Sequence, residues 1–185
     1  AAREKNILLI RGAEITRHTP PGHFNAIFLD DIDPLETEDF FDVFHEAEKQ
    51  NAFTFWNHPG WQGREKGRWG GKHQTIFDRG QLDGIEICNG THYFDYAHRI
   101  ALDKDMALIG NSVIHDPSLS PQWTADDHRT LTLVFAEERT LEGVRAALDQ
   151  RRTAVWCENR VIGRERHLKP LFQACVRVHP PHHRD

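Results

Sequence analysis

A chain of 185 residues with 38% hydrophobic and 28% charged content can build one domain with a sizeable core, but not two large ones. The formal net charge of −5 counts against a nucleic-acid-binding face, which is usually basic, and no apolar run is long enough to span a bilayer. Cys88, Cys157 and Cys175 lie in or beside apolar runs without CxxC spacing, which reads as buried free thiols rather than a disulfide framework.

The opening Ala1–Lys5 has no initiator Met and no signal-peptide core, so the chain reads as processed or truncated. Localisation is expected to be soluble, cytoplasmic or periplasmic. Apolar strands are expected near residues 6–15, 25–29, 52–57, 84–88, 107–113, 130–135 and 153–157. Between them, Glu36 to Gln50 carries Phe40, Phe41, Val43, Phe44 and Ala47 at helical spacing after an acidic start, which suits a helix N-terminus. A second helix is expected over 93–104 and a third from Thr140, as cap, to Arg151. A fourth spans Arg164 to Ala174, shortened or kinked by Pro170. Strands apolar on both faces, alternating with helices, predict an α/β fold with a parallel sheet covered by helices. The tail 178–185 is expected to be disordered.

The chemistry-bearing residues stand at strand ends. Glu14 closes the first strand, His23 stands directly before the second, His58 follows Phe53–Asn57, and His115 follows Ala107–Ile114. Convergence of this kind is how a β/α barrel builds a site at one face. Glu14, His23 and His58 make a three-ligand set for a divalent metal with room for water. Such a metal lowers the pKa of its water and generates hydroxide near neutral pH. Asp116 can orient His115, and Glu86, in an apolar strand, needs a partner and reads as a contact behind the ligands. The loop from Pro59 to His73 follows the His58 strand and carries Trp61, Arg64, Lys66, Arg68, Trp69 and Lys72. Its cations suit an anion and its indoles an organic group. It is not a P-loop, since His73 follows Gly71-Lys72. With Arg17, Asn89 and His92, the residues Trp61, Arg64 and Arg68 are the candidates for substrate binding.

The stretches Gly12-Ala13-Glu14-Ile15-Thr16, Gly22-His23-Phe24-Asn25-Ala26, Asn57-His58-Pro59-Gly60, Gly84–Gly90 and Gly110-Asn111-Ser112…His115 resemble the PHP family, the polymerase and histidinol phosphatase superfamily of metal-dependent phosphoesterases. Val161–Glu165 and Leu168–Phe172 are similar to the C-terminal extension of a bacterial phosphodiesterase branch. The resemblance implies a distorted (β/α)7 TIM-like barrel over residues 1–157, lacking its N-terminal strands, a C-terminal extension over 158–177 packed on the barrel, and one to three zinc, manganese or iron ions. It implies that Glu14 bridges two metals, that His23 and His58 complete one of them, and that His115 serves another. The family's opening His-x-His and following Asp-His pair are not found in this sequence, and Val113 stands where the family has Asp. The expected activity is hydrolysis of a small organic phosphodiester by metal-bound hydroxide, with no catalytic side chain beyond that water. The alternatives are a degenerate module that binds metal or an anion without catalysis, a DNA-associated accessory domain, and a metal hydrolase acting on C–N bonds.

Overall fold

Buried apolar strands form the centre of the protein: β3 (Phe53–Trp56), β4 (Gly84–Asn89) and β6 (Ala107–Asn111) pair in parallel, β4 in the middle. The computed structural model describes residues 6–114 and 128–178. His115, Asp116, the opening Ala1–Lys5 and the tail from 179 onward therefore lie outside the described residues. The β3–β4 connection carries α2 (Gly71–Asp78), and the β4–β6 connection carries the two-residue β5 (His92–Tyr93) and α3 (Asp95–Asp103). Helical crossovers of this kind are what parallel neighbours require.

The sheet is not parallel throughout. β1 (Gly12–Ile15) and β2 (Phe24–Ile27) are antiparallel, and β2 is also antiparallel to β3. The β1–β2 connection, residues 16–23, holds no helix and is shorter than the dozen or so residues that a parallel crossover needs. The first strand is also shorter than expected. Residues 7–10 form no strand, and Ile7 and Leu9 are exposed.

α1 (Phe40–Lys49) starts where Asp39 accepts hydrogen bonds from the backbone N–H groups of Phe41 and Asp42. This cap explains why the helix opens four residues later than the periodicity suggests. Its Phe40, Val43, Phe44 and Ala47 are buried in one core cluster with Phe24 of β2, which Phe40 and Phe44 meet edge-on. Burial of each such aromatic contributes roughly 1.5–3 kcal/mol.

A second, antiparallel sheet joins β7 (Leu131–Val134), β8 (Thr153–Cys157) and β9 (Arg160–Gly163). α4 (Leu141–Asp149), capped by Thr140, links β7 to β8, and α5 (Glu165–Cys175) follows β9. The sequence reading did not anticipate β9 or α2. α5 keeps Pro170 inside it. The second sheet lies against β6 through side chains instead of a strand pairing. Thr153 Oγ1 accepts from Leu108 N–H at 3.1 Å, and Thr132 Oγ1 accepts from Gly110 N–H and donates to Gly110 O, both at 2.9 Å. These hydroxyls satisfy backbone groups that a buried strand edge would otherwise leave unpaired. Gly110 permits the approach, because a Cβ there would lie 2.3 Å from Val155 Cγ1.

Cys88 and Cys157 are buried free thiols, while Cys175 is exposed at the end of α5, against expectation. The helix α5 buries none of its residues, so a cysteine in its last turn has nothing to cover it. Among the described residues no helix is long and apolar enough to cross a membrane.

Candidate metal centre

The reversal of β2 builds the site. Ile15 pairs with Phe24, and Phe24 with Trp56, so the N-terminal end of β2 lies level with the C-terminal ends of β1 and β3. A residue just before β2 therefore shares a rim with the last residues of β1 and those just after β3. That is why His23, preceding its strand, meets Glu14 and His58. Asn89 and Asn111, paired at the ends of β4 and β6, complete the rim.

His23 Nδ1 lies 3.1 Å from Glu14 Oε1 and 3.1 Å from His58 Nε2, so both partners face the same ring nitrogen. The two imidazoles are mostly buried, with 17% and 13% of their side chains exposed, whereas Glu14 keeps 45%. Burial lowers the pKa of His23 below the ordinary imidazole value. The neighbouring His58 adds to the fall, while the Glu14 carboxylate opposes it. A neutral His23 is the form that can donate a lone pair to a metal.

His58 is fixed from behind. Glu86, fully buried in β4, accepts a short hydrogen bond from the His58 backbone N–H, and the same Oε2 lies 3.6 Å from His58 Nδ1. Its other oxygen accepts from Asn89 Nδ2 at 2.9 Å. A carboxylate beside one imidazole nitrogen directs the other toward the site and sets its tautomer. His58 adopts φ +24, in the left-handed region that side chains avoid. Such conformations persist where surrounding bonds over-determine them, commonly at functional sites. Glu86, expected to need a partner in its apolar strand, finds two, His58 and Asn89.

The donor chemistry, two imidazoles and a carboxylate, suits a divalent metal. Ligand atoms about 2.0–2.1 Å from a tetrahedral ion stand roughly 3.3 Å apart, close to both 3.1 Å separations. Asn57 Oδ1, on a residue only 3% exposed, is a buried acceptor with no hydrogen-bond partner. It lines a cavity of about 160 Å³ with Glu14, Asn25, Glu86 and Asn111, and no Lys or Arg contributes to that wall. As placed, the three donors bond to one another. Among the described residues no group of three or more His, Cys, Asp or Glu is arranged to hold a metal ion.

Two larger cavities open onto the imidazoles of this rim. One, of about 330 Å³, is lined by Glu14, His23, His58, Trp61, Asn89 and Val113. The other, of about 440 Å³, is lined by Thr16, Arg17, His18, Thr19, Trp61 and Gln62, and shares His23. Of the candidate substrate residues, Trp61, Arg17 and Asn89 thus stand at the cavities. Arg64, Arg68 and His92 line neither one: the Arg64 guanidinium lies over the Tyr96 ring, Arg68 pairs with Glu65, and His92 is exposed in β5.

One residue that sequence reasoning missed supports the rim. His73, in the first turn of α2, is buried among Phe24, Trp56 and Trp69. Its Nδ1 accepts from Gly70 N–H at 3.1 Å, which leaves Nε2–H to donate to Pro21 O at 2.9 Å. His73 so ties the turn before His23 to the end of the Trp61 loop. Burial drives its pKa down to about 4, against the smaller opposing effect of the Pro21 carbonyl. The signal available in sequence was a histidine three residues after Gly70, and nothing in its flanks marked it as buried.

No sequence-family model matches the chain, and no curated protein matches it. A solved structure does. It is a two-domain protein from Bacteroides vulgatus, described as containing a predicted PHP-like metal-dependent phosphoesterase, with 46% identity over 99% of this chain and a TM-score of 0.91. This chain is similar to that protein in both sequence and fold. It spans 54% of the length of that protein. The match covers both sheets and the whole rim, and the metal dependence in that protein's description accords with the imidazole and carboxylate donors found here.

Proposed function

We propose that this chain carries the centre of a metal-dependent phosphoesterase that hydrolyses an organic phosphodiester. The observation that carries the reading is the meeting of Glu14, His23 and His58 on one rim, with buried Glu86 holding His58 from behind. In this reading those three residues hold a divalent ion (zinc, manganese or iron), and His115 serves another. Such an ion supplies Lewis-acid activation of water and neutralises phosphate charge. In the reaction, water oxygen bonds to phosphorus as the bond from phosphorus to the alcohol oxygen breaks, and a water proton ends on the released alcohol. Glu86 keeps His58 in one tautomer, Asn89 steadies Glu86, and Arg17 offers positive charge at the adjoining cavity. Arg64, Arg68 and His92 are assigned to the outer approach. We also read the mixed sheet as the larger part of a PHP-type barrel, a reading supported by the parallel β3–β4–β6 core with its helical crossovers.

Elemental analysis of untagged protein, beside Glu14→Ala, tests the centre. One equivalent or more of metal, lost in the variant, together with turnover of bis(4-nitrophenyl) phosphate, is the expected result. Protein that takes up no metal on reconstitution refutes it. Val113 favours a second reading, a module that binds metal or anion without catalysis. It places an apolar side chain, 45% exposed at φ +47, on the wall of the 330 Å³ cavity. Retained metal with no turnover of any phosphodiester selects that reading.

A further inference from the structure

Trp61 is built into the site and yet left open. Its backbone N–H donates to His58 O at 3.1 Å, and its ring lies 5.6 Å from His23 and 5.9 Å from His58, tilted to the first and edge-on to the second. The loop that carries it is closed tightly. Gly63, Lys66 and Gly67 donate backbone hydrogen bonds within the loop, and Gly67 passes so near Pro59 that a Cβ would lie 1.5 Å from the Pro59 carbonyl oxygen. Gly60 in turn rests on Phe94 at the start of α3. Despite this anchoring, 55% of Trp61 is exposed, and the residue lines both the 330 Å³ and the 440 Å³ cavity. Water-exposed indole held rigidly beside reactive groups gives large contact area at little entropic cost on binding.

Two residues that line the 440 Å³ cavity, Arg17 and Thr19, also carry unpartnered polar atoms. Arg17 Nε and Thr19 Oγ1 are buried without hydrogen-bond partners. The Arg17 guanidinium donates only to the carbonyls of Thr16 and Thr37, and it has no carboxylate partner among the described residues. We propose that this cavity seats the alcohol half of the substrate, and that this half is a planar aromatic group stacked on Trp61 beside Arg17. The inference rests on the phosphoesterase reading and narrows it to aryl or nucleoside phosphodiesters. Stacking on an indole accepts any flat π-system, so both sources share the chemistry.

Equilibrium binding by calorimetry separates the possibilities with three diesters: diphenyl phosphate, dicyclohexyl phosphate of nearly the same size and charge, and the dinucleotide thymidylyl-thymidine. Protein with added manganese is expected to bind at least one aromatic diester tenfold or more tighter than the dicyclohexyl ester. Trp61→Ala is expected to erase that preference, and Trp61→Phe to keep most of it. The aromatic diester that binds tighter identifies the source as aryl or nucleoside. Equal binding of all three, binding of none, or a preference unchanged in Trp61→Ala overturns the inference. A retained aromatic preference without turnover of any diester would instead overturn the phosphoesterase reading, so the two failures are distinguishable.

Discussion

Burial of His73 contributes a pH dependence to the protein's stability whose sign follows from the structure. Its folded-state pKa is about 4, against 6.5 for a free imidazole. Between those values the unfolded chain binds a proton that the folded chain refuses. Stability therefore rises with pH across this window, and the contribution of His73 is lost as pH falls from 6.5 toward 4. Each unit of pKa is worth about 1.4 kcal/mol, so this side chain accounts for roughly 3 kcal/mol between pH 7 and pH 4. Asp83 acts in the opposite sense. Burial raises its pKa from 3.8 to about 6, despite the hydrogen bond it accepts from Thr54 N–H. The folded chain then holds the extra proton, and acidification from pH 6 to 3.8 stabilises it by about 3 kcal/mol. The two effects nearly offset each other in the wild type, so only variants expose them. Urea unfolding of His73→Gln, measured at pH 7 and pH 4, is expected to show the variant gaining roughly 3 kcal/mol on the wild type as pH falls. Asp83→Asn is expected to lose about as much over the same range. Curves for His73→Gln that stay parallel to the wild type would mean that His73 takes its proton in the folded state, and would refute the burial argument.

Three further outcomes follow from other contacts. Glu86→Gln removes the carboxylate behind His58 and is expected to weaken zinc or manganese binding by about 10–100-fold, measured by competition with a chromophoric chelator. Unchanged affinity would show that Glu86 does not orient the ligand. Gly110→Ala drives a methyl into Val155 and is expected to lower stability by about 1–3 kcal/mol, read from the urea midpoint, while Gly71→Ala, in α2 with open space around its Cβ position, serves as a control for a glycine within a helix. Amide hydrogen exchange is expected to be much faster in β1 than in the fully buried β3 and β4. Added manganese should protect β1 selectively if Glu14 is a ligand.

The parts of the fold legible in the sequence are those governed by local rules. The apolar runs of β3, β4, β6 and β8 became strands close to their expected bounds, because residues buried on both faces leave an uninterrupted signal. α1 and α4 were legible from their periodicity, and Thr140 caps α4 as expected. Strand direction was not legible. Nothing in Phe24–Ile27 says that it runs against its neighbours, and only the short helix-free connection before it carries a hint. α2 was hidden inside a Gly- and Arg-rich loop, since its start is capped by His73 accepting from Gly70 N–H instead of by Ser, Thr, Asp or Asn. The candidate site was legible by residue type at Glu14, His23, His58 and Trp61. The directions in which Arg64 and Arg68 point were not, because exposed cations take local partners, here Tyr96 and Glu65, that sequence spacing leaves open.

The unequal burial of the three donors bears on how such a site assembles. His58 is pinned through backbone and side chain to a fully buried carboxylate, and His23 is held by the turn that His73 fastens at Pro21. Both imidazoles are thus preorganised by the sheet and the Trp56–Trp69–His73 cluster. Glu14 differs. It sits on β1, which pairs with β2 and with no other strand among the described residues, and nearly half of its side chain faces solvent. A carboxylate on a four-residue strand that is paired on one side among the described residues can shift at little energetic cost, while the two imidazoles cannot. The site therefore consists of a rigid imidazole pair and one adaptable carboxylate. A metal entering it would be expected to draw Glu14 inward and break the direct bond between His23 and His58, since His58 Nε2 cannot serve both. The same asymmetry makes β1 the element through which any contact on the outer edge of the sheet would reach the centre.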